Sequence, residues 1–136
     1  MYLYNTRPDL AFSVCIASRF MERPKVSHLA TVIRYVIGTL GCRILFPAAG
    51  KSRKCELLGY TDSNWCGDKY DRKSTASYVF MFGGAQISWS YKKEHVVGLS
   101  SCDAEYIAAS LCACHDVWLK NLLEELAVRW RKLSHS

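Results

Sequence analysis

The 136-residue sequence lacks several features that would place it quickly in a functional class. Its longest apolar runs fall far short of the roughly 18–20 residues needed to cross a bilayer, which excludes a transmembrane helix. The start, MYLYNTRPDL, has neither the basic opening nor the long apolar centre of a signal peptide, so an intracellular protein is expected. Seven cysteines are an odd number and too few for a small disulfide scaffold. No CxxC pair is present, and Cys112 and Cys114, two apart on a helix, point to different sides, so buried reduced thiols are expected rather than a metal tract. There is no GxGxxG or GxxxxGK[ST] phosphate cradle, no serine in a nucleophile-elbow context, no internal repeat and no low-complexity segment.

What is present resembles an ordinary globular domain: 50% hydrophobic and 22% charged residues. Eighteen Lys and Arg against twelve Asp and Glu leave a net charge of +6, a moderate bias that makes polyanions plausible partners. Half of that surplus lies in the basic tail, as Arg129, Arg131 and Lys132.

Residues 6–22 predict a helix with Thr6 as cap, Pro8 and Asp9 in its first turn, and Leu10, Val14, Ala17 and Met21 on one stripe. Pro24 stops it, and a second helix begins with Ser27 as cap and carries Leu29, Val32, Ile33, Val36 and Ile37. The two form a helical hairpin. Residues 42–47 suggest a short strand, and the small and basic stretch 48–54 suggests a boundary.

Three strands are expected next, over 55–62, 74–82 and 85–91, with Gly83-Gly84 as a hairpin turn. In the third, Ala85, Ile87, Trp89 and Tyr91 alternate with Gln86, Ser88 and Ser90. A helix of about 25 residues, or about 38 Å, starts at a Ser100 or Ser101 cap, with a stripe of Ile107, Ala108, Leu111, His115, Trp118, Leu119, Leu122, Leu123 and Leu126. The order is mixed α/β, three antiparallel strands and a long helix after a helical hairpin.

Asp62, at the end of the first strand, and Glu105, in the first helical turn, are the leading site candidates. If the helix packs on the sheet, the two carboxylates meet and attract a hard divalent cation. A turn at Asp62 and a helix-dipole role for Glu105 explain the same residues. Asp68, Asp71, Arg72 and Lys73 read as a solvated charged loop. Lys92 and Lys93 follow Trp89 and Tyr91, a pairing that grips nucleic-acid backbones in other proteins. His115, inside an apolar stripe, reads as a satisfied core histidine.

The stretches TRPDLAFSVCIASRFM, LLGYTDSNWCGDKYDRKSTASYVFMFGGAQISWSYKK and LSSCDAEYIAAS with WLKNLLEEL resemble the Pol polyprotein of copia-type long-terminal-repeat retrotransposons. The resemblance covers about Tyr2 to Leu126. It implies that residues 1–50 belong to the end of a reverse transcriptase, a connection-like helical segment, and that 51–136 are the N-terminal portion of a ribonuclease H-like domain. It further implies an incomplete ribonuclease H-like fold, Asp62 and Glu105 as catalytic Mg²⁺ ligands, RNA–DNA hybrid as substrate, and Arg72, Lys73, Lys92 and Lys93 as nucleic-acid contacts. Asp103, two positions from Glu105, points elsewhere. The family carries further acidic residues after the long helix, and none present here fills those roles, so weak Mg²⁺ binding and impaired hydrolysis are expected. An absent fourth strand would leave residues 55–62 as an open edge that self-associates. A non-catalytic nucleic-acid-binding module and a half-site completed in trans remain as alternatives.

Overall fold

In a computed structural model, residues 2–21, 23–47 and 56–133 are described, with side chains over 4–21, 23–47 and 56–127. The boundary segment 48–54 and Cys55 lie outside these residues, as do the side chains of the basic tail.

The chain opens with α1 (Tyr2–Thr6), α2 (Pro8–Ser18) and α3 (Val26–Gly38). The expected first helix therefore begins at Pro8, behind a short extra helix. Pro8 supplies no N–H to continue α1 and has the fixed φ that suits the first turn of α2. Arg7, not Thr6, holds the cap position. Its guanidinium donates to both Asp9 carboxylate oxygens at 2.8 and 2.6 Å. The same guanidinium also donates to the Thr39 carbonyl and hydroxyl at 3.0 and 2.8 Å, tying the start of α2 to the end of α3. The second helix starts one residue before Ser27, with Lys25 at the cap and its N–H donating to His28 Nδ1 at 3.4 Å.

Leu10 and Ala11 are buried in α2, whereas α3 buries no residue fully. Leu29, Ile33 and Ile37, part of the apolar stripe read from the sequence, remain exposed. The helix touches α2 alone among the described elements, so no described element covers most of its apolar face. Residues 42–47 run without strand pairing, a correction to the expected strand.

The sheet comprises β1 (Leu57–Asn64), β2 (Thr75–Phe82) and β3 (Ala85–Lys93), antiparallel in the order β1-β2-β3. Gly83 and Gly84 have φ of 58° and 85°, the double positive φ that a two-residue hairpin turn demands. Register shifts after Phe80↔Ser88 to Met81↔Gln86, leaving Ile87 as an extra residue. That bulge inverts the alternation before it. The expected single face of Ala85, Ile87, Trp89 and Tyr91 is thus broken: Gln86 joins Trp89 and Tyr91 along one groove, while Ser88 turns to the other side.

The final element, α4 (Ser101–Leu133), is 33 residues long, about 50 Å, and continues through the basic tail instead of ending near Leu126. Ser100 caps it, its Oγ accepting the Asp103 N–H at 3.1 Å, while Asp103 Oδ2 accepts the Leu99 N–H at 3.3 Å. Asp103 is thus occupied in capping. Ala104, Ala108, Cys112 and Leu119 are its buried positions among the described residues, and Cys112 and Leu119 cluster with Phe80 on the sheet. This stripe is narrower and rotated from the one expected, and Leu111, Trp118, Leu122 and Leu126 are exposed. Ala104 is buried beside Gly98 in the segment that leads into the helix, where an added Cβ on Gly98 would lie 3.3 Å from the Ala104 N. Gly59 on β1 leaves room for Phe80: a Cβ there would lie 2.7 Å from the Phe80 ring.

One face of the sheet carries α4 and the other carries α1 and α2. On the second side, Trp89 Nε1 donates to the Tyr4 carbonyl at 3.0 Å, and the Tyr91 and Phe12 rings meet edge to face at 5.1 Å. Among the described residues, no helix is long and apolar enough to cross a membrane.

Candidate functional site

Glu105 reaches the β1 backbone at Ser63, next to Asp62, but the Asp62 and Glu105 side chains do not converge. Glu105 projects from the first turns of α4, and its Oε1 accepts the Ser63 backbone N–H at 3.3 Å. Ser63 turns its own side chain toward the α4 face, where its hydroxyl donates to Glu94 Oε1 at 3.5 Å. Strand alternation therefore sends Asp62 to the opposite face. There it is exposed and lines a groove of about 480 Å³ with Arg7, Asp9, Trp89 and Tyr91. Burial, and next the nearby Asp62 charge, push the Tyr91 phenol above its usual range.

Glu94 is the residue that sequence reading missed. It follows β3 directly, and its backbone N–H donates to the Ser74 carbonyl at 2.9 Å, closing the end of the sheet. Its side chain is buried at 5% exposure, and its Oε2 has no hydrogen-bond partner. Burial raises its pKa; the Ser63 hydrogen bond opposes the shift and the Glu105 charge adds to it. Its parity with Ser90 and Lys92 was a sequence signal for the face, but its reach across to Ser63 required the folded sheet.

These positions test a metal assignment directly. Among the described residues, no three His, Cys, Asp or Glu side chains gather as a metal-binding group. A pair of divalent ions flanked by Asp62 and Glu105 does not fit side chains on opposite sheet faces.

The basic candidates are also separated. Lys92 is exposed at the edge of a cavity on the α4 side, beside Tyr78, His115 and Trp118. Lys93 points to the other face, where its ammonium pairs with Asp68 at 2.6 Å and Asp71 at 2.7 Å. Asp68 also meets Arg19 at 3.2 Å. It is buried, which corrects the expectation of a wholly solvated loop: two cations and the Tyr70 N–H compensate its charge. Those partners, the Lys93 hydrogen bond foremost, hold its carboxyl down at about 2. Arg72 is exposed with φ 58°, Lys73 is half-buried, and no ion pair among the described residues uses Arg72, Lys73 or Lys92.

His115 behaves as a satisfied core histidine: its Nε2 lies 2.8 Å from Ser88 Oγ and its ring is stacked among Tyr78, Phe80 and Trp118. The six described cysteines are free, but only Cys112 is buried, which corrects the expectation of uniformly buried thiols.

No family model matches the chain, and no solved structure matches it. Curated relatives do. The retrovirus-related Pol polyprotein from transposon TNT 1-94 of Nicotiana tabacum is 40% identical over 93% of this chain. The chain is similar to retrovirus-related Pol polyproteins of plant transposons. The corresponding polyprotein from transposon RE1 of Arabidopsis thaliana is 37% identical over 94% of the chain. This chain spans about a tenth of the length of those Pol polyproteins. A shorter relative, named secreted RxLR effector protein 161, from Plasmopara viticola, is 40% identical over 84% of this chain and 80% of its own length.

Proposed function

We propose that this Pol-like chain contains the N-terminal portion of a ribonuclease H-like unit that binds RNA–DNA hybrid and hydrolyses its RNA strand weakly. The observation that carries the reading is the docking of Glu105 on the β1 backbone beside Asp62. Arg72, Lys73 and Lys92 offer uncompensated positive charge for a phosphate backbone. Lys93 contributes little to such contacts because Asp68 and Asp71 already neutralise it.

Weak hydrolysis follows from electrostatics. Cleavage by paired Mg²⁺ ions needs several carboxylates converging on one place, to offset the repulsion between the cations and to hold both oxygens of the displacement. Here Asp62 and Glu105 face apart, so no step is assigned to a metal pair. The residues on hand bind and orient the duplex more readily than they cut it. Purified protein incubated with end-labelled RNA–DNA hybrid in Mg²⁺ is expected to retain the duplex and leave it almost intact. Rapid Mg²⁺-dependent cutting, abolished by Asp62→Asn, would overturn the weak-hydrolysis reading.

The relative named as an effector favours a second, non-catalytic reading, in which the chain acts through protein contacts. A half-site completed in trans differs in one result: added Pol fragments bearing further carboxylates would raise hybrid cleavage.

A further inference from the structure

The groove between the sheet and α2 carries charge that the fold does not use. Cross-strand register sets its walls. Asp62, Ser77 and Tyr91 form one row across the sheet, and Tyr60, Val79 and Trp89 form the next. Tyr60 and Asp62 stand on β1 and Trp89 and Tyr91 on β3, with the smaller Ser77 and Val79 between them, so the rows bound a slot along β2. The β3 wall is fixed: the Trp89 indole N–H donates to the Tyr4 carbonyl at 3.0 Å, and Tyr91 packs edge to face on Phe12. The β1 wall is open, with Tyr60 54% exposed and Asp62 exposed beside it. At about 480 Å³ the slot falls within the ordinary range of small-molecule sites.

Arg7 and Asp9, also at the groove, neutralise each other, and Thr39 takes the remaining Arg7 contacts. Asp62 and Arg43 differ: among the described residues neither side chain makes an ion pair. The Ser77 hydroxyl donates to the Asp62 backbone carbonyl at 3.2 Å, not to its carboxylate. The two charges lie toward opposite ends. Arg43 also lines the adjoining cavity with Gln86 and Trp89, and Asp62 does not. Gln86 shares a row with Met81 and Leu58, and Leu58 lies four residues from Asp62, about 14 Å along the strand. The slot therefore offers a carboxylate at one end, aromatic walls in the middle and a guanidinium toward the other end.

A guest that meets all three is flat, rich in N–H donors at one end and anionic at the other. An ionised carboxylate only accepts hydrogen bonds. Among the common bases, guanine presents two adjacent N–H donors on its base-pairing edge and can engage a carboxylate bidentately, whereas adenine, cytosine and uracil each turn an acceptor toward it. Aromatic walls stack any base, and a guanidinium pairs with phosphate. We propose that this groove binds an unpaired guanine nucleotide, with Asp62 accepting from the base edge, Tyr60 stacking on the base and Arg43 holding the 5′ phosphate. A free mononucleotide and an unpaired guanine within a strand offer the same chemistry. The site stands apart from hybrid binding through Arg72, Lys73 and Lys92, because a paired guanine has its base edge occupied.

The test is calorimetric titration of the full chain with GMP, AMP, CMP and UMP in the absence of divalent cations. GMP should bind at least about tenfold more tightly than AMP, because the carboxylate meets two donors in one base and an acceptor in the other. Asp62→Asn should abolish that preference. Tyr60→Ala should weaken every nucleotide at least about fivefold, and Tyr60→Phe should restore binding. Arg43→Ala should weaken GMP at least about fivefold and leave guanosine unchanged. All three side chains are exposed, so unchanged thermal midpoints are expected and verify that the variants fold. An RNA pentamer, UUGUU, separates the sources: tighter binding than GMP assigns a strand, and equal or weaker binding assigns a free nucleotide. Absence of saturable binding at millimolar GMP, equal affinity for AMP and GMP, or a preference that survives Asp62→Asn would overturn the proposal. Hybrid retention fails or survives separately, since the titrations contain no duplex.

Discussion

Replacing Asp68 with Asn is the sharpest perturbation of the fold. Asp68 Oδ2 receives Lys93 Nζ at 2.6 Å and Arg19 at 3.2 Å, and Oδ1 receives the Tyr70 N–H at 2.8 Å. It therefore clamps the segment after α2 to the end of β3. The isosteric amide keeps one acceptor oxygen for Tyr70 but loses both charge-assisted contacts. A hydrogen bond to a charged group is worth about 1.5–3 kcal/mol, and breaking a fully buried pair costs about 3–5 kcal/mol. The lower range applies, because Lys93 retains Asp71 at 2.7 Å and its side chain is 27% exposed. A loss of about 2 kcal/mol at pH 7 is expected, read as a lower urea midpoint with unchanged slope. The pH dependence gives a second check. The folded carboxyl sits at about 2, below its ordinary 3.8, so its stabilisation is complete above about pH 4 and disappears as pH falls toward 2. The gap between wild type and Asp68→Asn should therefore be flat from pH 7 to about 4.5 and shrink below pH 4. Equal stability at pH 7, or a gap unchanged down to pH 2, would refute the clamp.

Phe80→Ala removes the largest fully buried side chain from the sheet–α4 contact and should cost about 3–5 kcal/mol in urea unfolding. Arg72→Gly relieves a left-handed backbone at φ 58° and should gain up to about 1 kcal/mol, visible as a higher thermal midpoint. Strand β1 has an unpaired edge among the described residues, with Leu58 and Tyr60 exposed on it, so sedimentation at tens of micromolar should reveal dimers. Tyr60→Lys should return the chain to monomer, and a wild-type monomer at that concentration would count against edge pairing.

Local signals carried most of the sheet. Alternation, β-branched residues and Gly83-Gly84 defined the hairpin, and Ser100 with Asp103 marked the start of α4. The failures arose where distant contacts overrode local pattern. Apolar periodicity in α3 implied burial, but no described element covers Leu29, Ile33 or Ile37. The bulge at Ile87 changed which residues share a face, and nothing in the short alternating run signals an extra residue. Asp68 looked solvated because its partners, Arg19 and Lys93, are far away in sequence. The resemblance points to Asp62 and Glu105, but which sheet face each side chain takes depends on the folded chain, as does the reach of Glu94 to Ser63. Asp62 itself illustrates the limit: its strand was foreseen, but the face it occupies relative to α4 is a tertiary fact.

Hybrid binding is tested most directly by fluorescence anisotropy on a labelled RNA–DNA hybrid across a salt series. With Arg72, Lys73 and Lys92 as the phosphate contacts, the logarithm of the association constant should fall linearly with the logarithm of salt, with a slope between about −2 and −3. Lys92→Ala should make that slope shallower by roughly one, and Lys93→Ala should leave it nearly unchanged. Absence of measurable binding at low salt, or binding indifferent to salt, would contradict the account.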